Sequence, residues 1–169
     1  VKDGIVYVTE DRKIEGFFET MTIAGNVQLG RLAQGSNPLS IASRGNARRL
    51  AAEWTSKLGV KAISSDARVI ELSGGNQQKV VVAKALVQQP RLIILDEPTR
   101  GVDVGTIAEI HTLINQLASS GMAVVVISSY LPEILSLSDR ILVARQGRVV
   151  EEMSIAEATE SKIMYAAVH

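Results

Sequence analysis

The sequence predicts an α/β fold, a mainly parallel sheet carrying a mainly helical insert. Three observations support this: short β-branched runs recur along the chain, helical periodicity separates two of them, and residues 15–72 contain no strong strand run. With 169 residues, 46% of them hydrophobic, the chain suits one domain of ordinary size with a real core.

In chain order, residues 4–9, 91–96, 122–128 and 140–144 read as buried strands. A fifth run, 148–152, follows the turn at Gln146-Gly147 and forms a hairpin with the fourth. Between the second and third, residues 105–120 place Ile107, Ile110, Leu113, Ile114 and Leu117 at helical spacing. This gives a strand–helix–strand unit with a parallel pair. Within the insert, residues 43–58 form a helix with Leu50, Ala51, Trp54 and Leu58 inward. Gly and Ser cluster at 34–40 and again near Ser64-Ser65. The last helix spans 154–168, with Ser154 as its N-cap.

Composition excludes several classes. Basic and acidic residues balance at 18 each, so no overall field attracts nucleic acid or an anionic membrane surface. The absence of cysteine rules out disulfides and thiolate metal sites, and His111 and His169 lie far apart in sequence. Every apolar stretch falls short of the ~20 residues needed to span a bilayer. The chain enters a β-like run at once, with no charged leader or cleavage site, which reads as a beginning in mid-domain.

The chemistry concentrates at element junctions. Leu72-Ser73-Gly74-Gly75-Asn76-Gln77-Gln78-Lys79 opens a helical run. Two glycines at a helix start let backbone amides approach an anion, the helix dipole favours negative charge there, and Ser73 adds a hydroxyl. The alternative is a serine N-cap followed by flexible glycines. After Pro90 comes Leu92-Ile93-Ile94-Leu95-Asp96-Glu97-Pro98-Thr99, an apolar strand ending in two acids. At the carboxyl end of a parallel strand Asp96 can hold Mg²⁺ through water, and Glu97 can position an attacking water. The alternative is a pair of acids that end a strand in solvent. Arg100-Gly101-Val102-Asp103 follows, and then the strand-to-helix corner Ser128-Ser129-Tyr130-Leu131-Pro132-Glu133, where Pro132 suits a first helical turn.

In this order the motifs resemble the signature, Walker B, D-loop and switch region of ATP-binding-cassette (ABC) ATPases, over nearly the whole chain. Glu10-Asp11-Arg12-Lys13, Ser-Gly-Gly-Asn-Gln-Gln-Lys, Arg-Gly-Val-Asp and Ser-Ser-Tyr-Leu-Pro-Glu resemble, more narrowly, the second cassette of the tandem ATPase subunits of ribose, xylose and galactoside importers. The resemblance implies a P-loop NTPase core with a helical subdomain, and a partial one. No Gly-x-x-x-x-Gly-Lys-Ser/Thr occurs, so the P-loop strand and its helix are missing from these residues and truncation is the expected reading. Residues 25–32, Gly-Asn-Val-Gln-Leu-Gly-Arg-Leu, imitate the glycine spacing, but no strand precedes them and Leu32 offers no hydroxyl for Mg²⁺.

The implied organisation is a core strand and Q-loop region at 1–14, a helical subdomain ending in the signature helix at 15–88, a core with Walker B, D-loop and switch at 89–152, and a C-terminal helix at 153–169. The implied cofactors are ATP and Mg²⁺, the latter held through water by Asp96, with Glu97 as catalytic carboxylate, Ser129 in the switch position and Glu10 in the Q-loop position. The signature residues Ser73, Gly74 and Gly75 would face the γ-phosphate bound to an opposing cassette, with Asn76 and Gln77 as further nucleotide-binding residues of the signature and Asp103 at the interface between the two. Implied partners are a second cassette, membrane permease subunits and, indirectly, a periplasmic sugar-binding protein, at the cytoplasmic face of the membrane and without nucleic acid. Ser129 stands where the family usually has histidine and cannot supply a cationic donor, and Glu10 stands where it usually has glutamine. These departures resemble second cassettes that lend their signature to a more competent site, so a noncatalytic half is the alternative function. DNA-repair ATPases share the signature and Walker B but carry a long coiled coil, and 15–72 shows no sustained heptads. Translation-associated soluble cassettes generally lack the Arg-Gly-Val-Asp pattern.

Overall fold

The computed structural model describes residues 3–33 and 43–169. The Gly/Ser cluster at 34–40 lies outside the described residues. The described residues form two compact units, Val1–Ile127 and Ser128–His169.

The first unit is built on three parallel strands, β1 (Ile5–Val8), β2 (Leu92–Asp96) and β3 (Ala123–Ile127), with β2 in the centre. Register aligns Val6 with Ile93 and Val124, and Val8 with Leu95 and Val126. Because side chains alternate along a strand, Val6, Val8, Ile93 and Leu95 share the face that is buried. Helix α3 (Gly74–Leu86) packs on β1, and α4 (Val104–Ser119) packs on β3 and on α3. The opposite face carries Ile5, Tyr7, Val125 and Ile127, all exposed.

The third strand differs from the expected buried strand. None of its residues is fully buried, and Val125 and Ile127 are 44% and 47% exposed. It has only β2 as a neighbour among the described residues, so one edge and one face lack cover whatever its apolar content.

Between β1 and β2 the chain is helical, as its lack of strand runs predicts. A π-helical turn at Arg12–Gly16 leads to α1 (Ile23–Ala33) and α2 (Arg44–Lys57), and α1 packs against both α2 and α3. Helix α2 buries Ala47 and Ala51 and ends at the buried Leu58, while Leu50 and Trp54 are half-buried. Helix α1 contains residues 25–32, so the glycine spacing that imitates a phosphate loop is continuous helix. Gly30 serves packing, because a Cβ there would overlap the backbone carbonyl of Lys84 in α3. Buried Asn26 organises the turn before α1, accepting from the Phe18 amide at 2.8 Å and donating to the carbonyls of Phe18 and Thr22, each at 3.1 Å.

The second unit comprises α5 (Leu131–Leu137), an antiparallel hairpin of β4 (Arg140–Arg145) and β5 (Arg148–Ser154), and α6 (Glu160–Val168). Its turn has positive φ at Gln146 (48°) and Gly147 (75°), the twist a two-residue hairpin needs. Ile141, Val143, Met153 and Ile163 form its core. The last helix starts later than Ser154 predicts. Ser154 still pairs with Arg140 in β5, and Thr159 is the cap, accepting from the Lys162 amide at 3.2 Å. The ladder has captured a residue that propensity alone would give to the helix.

Candidate functional site

The parallel register brings the carboxyl ends of β1, β2 and β3 to one edge of the first unit, where loops carry the polar residues. Asp96 ends β2, opposite Ile127, and is half-buried. Its Oδ2 accepts from the Tyr7 hydroxyl at 2.5 Å, and that bond to a carboxylate is the main reason the phenol is raised above its ordinary pKa. Glu97 follows with φ of 45°, a left-handed conformation that side-chain-bearing residues rarely adopt. Its amide donates to Ile127 O at 2.8 Å, so β3 itself holds the backbone in that turn. The consequence is a carboxylate carried off the strand path directly after the one that ends it.

Loop 97–103 then closes on itself. The Arg100 amide donates to Glu97 O at 3.1 Å, the Val102 amide to Thr99 O at 3.2 Å, and Gly101 takes φ of 66°. Asp103 caps α4, accepting from the Thr106 amide at 3.0 Å and the Thr106 hydroxyl at 2.8 Å. The hydroxyl bond, then the amide bond, hold its carboxyl below the usual range.

Ser73 precedes α3 and is exposed, and its side chain makes no capping hydrogen bond to the helix. Asn76 donates instead to Ser73 Oγ at 2.9 Å and accepts from the Lys61 amide at 2.8 Å. Gln77 turns inward, donating to Leu72 O at 2.9 Å and accepting from Arg12 Nε at 3.5 Å. Both glycines are packed: a Cβ on Gly74 would meet Arg12 Nη2 at 2.8 Å and Gly101 O at 2.9 Å, and one on Gly75 would overlap Thr106. Glu10 forms an ion pair with Arg100.

The structure therefore brings Glu10, the Ser73–Gln77 turn, Asp96, Glu97 and Asp103 into one unit, linked by Arg12, Arg100 and Thr106. Ser129 belongs to the second unit, two residues before α5, where the Tyr130 amide donates to Ser128 Oγ at 3.1 Å. Among the described residues no group of three or more His, Asp or Glu is placed to hold a metal, and no helix is long and apolar enough to cross a membrane.

The family model described as ABC transporter matches residues 1–100. The chain belongs to the ABC transporter family. Within that family it is 45% identical over 168 residues to a ribose import ATP-binding protein RbsA of Caldanaerobacter subterraneus subsp. tengcongensis, covering 99% of this chain and 34% of that protein. It is 50% identical over 167 residues to a xylose import ATP-binding protein XylG of Moorella thermoacetica, covering 99% of this chain and 33% of the relative. The chain thus spans about a third of the length of these curated relatives. Among solved structures, a dimeric post-hydrolysis state of the ATP-binding cassette MJ0796, bound to ADP and Pi, superposes with a TM-score of 0.76 at 26% identity. It covers 91% of this chain and 64% of that one. The α/β cassette fold expected from the ABC motifs is the fold observed.

Sequence reasoning missed three participants. Arg12 lay within a quoted motif, but a loop of mixed charges reads as solvated. Tyr7 sits at the exposed position of an alternating strand, and only pairing with β2 brings it to Asp96. Lys79 is buried in α3, donating to Glu109 Oε2 of α4 at 2.6 Å and to Gly59 O at 3.1 Å. No sequence spacing links those partners.

Proposed function

We propose that this chain is part of the ATP-hydrolysing subunit of an ABC importer for a sugar or related small solute, working at the cytoplasmic face of the membrane. The observation that carries the reading is the pair of acids closing the central strand, with Glu97 held off the strand path by Ile127 O. Similarity to ribose and xylose import ATP-binding proteins, at 45% and 50% identity along almost the entire chain, supports the solute class. Asp96 is a hard oxygen donor of the kind Mg²⁺ takes when phosphates and waters complete its shell, so this residue fits that ion. Asp96 would hold Mg²⁺, which supplies charge neutralisation to the phosphates, and Glu97 would orient a water through its carboxylate. By their match to the family's motifs, Glu10 would occupy the Q-loop position and Ser129 the switch position.

Ser73, Gly74, Gly75, Asn76 and Gln77 form the turn that would meet ATP held by an opposing cassette, with Asp103 beside that junction. The exposed Ser73 hydroxyl, which among the described residues accepts only from Asn76, keeps its hydrogen available for a phosphate oxygen. Permease subunits, and through them a periplasmic sugar-binding protein, are the remaining partners, and nucleic acid is not among them. Ser129, in place of a cationic donor, favours a second reading in which this half lends its signature turn and turns over little ATP itself.

Steady-state ATP hydrolysis by the intact subunit, assembled with its permease, separates these. If this half is catalytic, Glu97→Gln lowers kcat roughly a hundredfold. If it only lends its turn, Glu97→Gln has little effect and Ser73→Arg abolishes turnover. Full activity in both variants would sink both readings.

A further inference from the structure

Arg12 links the signature turn to the loop after β2. Its guanidinium donates from Nη1 to Arg100 O at 2.7 Å and from Nη2 to Gly101 O at 3.0 Å, two successive carbonyls gripped by one planar fork. Its Nε reaches Gln77 Oε1 at 3.5 Å, and its Nη2 lies 2.8 Å from where a Cβ on Gly74 would fall. Glu10, two residues earlier, pairs with the side chain of the same Arg100 whose carbonyl Arg12 holds. Lys84 anchors the far end of the π-helical turn to α3, donating to Gly16 O at 2.7 Å.

These contacts close a ring. Arg12 joins the start of α3 to Arg100 and Gly101, the loop continues to Asp103, Asp103 holds Thr106, and Thr106 packs against Gly75 at the start of α3. A displacement of the signature turn must carry loop 97–103 with it, or break the charge-assisted hydrogen bonds of the half-buried Arg12. An arginine suits the position because a lysine ammonium has no planar fork for two adjacent carbonyls.

We propose that Arg12 is a positioning residue that holds the Ser73–Gly75 turn and loop 97–103 as one rigid piece, so that ATP turnover served by that turn depends on it. This rests on the reading of the signature turn given above. Arg12 touches no reacting atom in this role and acts through Ser73 and the amides beside it.

The test is a double-mutant cycle on the intact subunit assembled with its permease, reading kcat, KM for ATP and thermal stability. Arg12→Lys and Arg12→Gln are each expected to lower kcat about tenfold while leaving KM within about twofold and the melting temperature near that of the wild type. In a Ser73→Ala background the same changes are expected to cost less than about twofold more, because the turn they position has already lost its hydroxyl. Equal factors in both backgrounds, an unchanged kcat, or loss of folding in both Arg12 variants would each overturn the proposal. If Ser73→Ala alone leaves turnover intact, the reading of the signature turn fails and takes this proposal with it. If Ser73→Ala cripples turnover and Arg12→Lys does not, only the role of Arg12 falls.

Discussion

Helices α1 and α3 each carry a glycine pair that sequence motifs associate with phosphate, and the two pairs occupy different places in the fold. Gly25 lies in the first turn of α1 with its amide committed to Thr22 Oγ1 at 3.0 Å, and Gly30 lies in the helix interior, where it lets α1 approach the Lys84 carbonyl of α3. Gly74 and Gly75 open α3, where the first amides have no intrahelical acceptor. Yet they too are packed, against Arg12, Gly101 and Thr106. Glycine at a helix start thus has two independent reasons to be glycine, and bulky replacements there disturb packing as well as any ligand. Ser73, exposed and with a hydroxyl that among the described residues is bonded only by Asn76, is the cleaner probe of binding.

The comparison breaks first at Gly30. Because its wall is backbone, Gly30→Ala should destabilise by about 3 kcal/mol, read by chemical denaturation followed at Trp54, the single tryptophan. A midpoint equal to wild type would mean the helices are not in close contact. Gly75→Ala meets a short side chain instead, and the expected loss is about 1–3 kcal/mol by the same measurement. Thr106→Ser in the Gly75→Ala background should recover part of it by removing the obstructing methyl.

A smaller effect tests how the start of α3 is braced from α4. Asp103→Ala should lower the melting temperature by roughly a few degrees through loss of the cap. Glu109, bonded first by Lys79 and attracted by Lys79 and Lys61, has a carboxyl held below its ordinary range. A depressed folded-state pKa contributes stability that is complete above the unfolded value and disappears as pH falls through the folded one. The melting gap between wild type and Glu109→Gln should therefore be widest near neutrality and close in acid, below about pH 4. A gap that persists in acid would show that the pair contributes through packing alone.

The smallest effect is expected at Gly25. An added methyl meets the flexible Met21 Cε at 3.0 Å, while alanine is the better helix former by up to ~1 kcal/mol. Gly25→Ala should leave stability unchanged or raise it by less than about 1 kcal/mol, in contrast to Gly30 five positions later in the same helix.

Much of the fold was legible because period and punctuation are local. The runs at 4–9, 91–96 and 122–128 became β1, β2 and β3 within a residue at each end, and the Gln146-Gly147 turn specified its hairpin. Helix α1 was not read as an element, since its two glycines and Asn26 blur the apolar stripe, and Asn26 is buried by bonds to a turn that sequence does not display. The candidate acids were legible as a strand ending, but the left-handed backbone of Glu97 depends on a hydrogen bond to β3, thirty residues away in sequence.

By itself the sequence determined the strands of the sheet and hairpin, the helical character of the insert, the parallel pairing across 91–128, and the family, because periodicity, turn residues and motif order need only neighbours along the chain. Tertiary structure decided that β3 lies at an edge among the described residues, that residues 25–32 are a packing surface, and that Arg12 bridges Gln77 to Arg100 and Gly101. Those outcomes depend on contacts between segments far apart in sequence, whose geometry exists only once the sheet and helices have assembled.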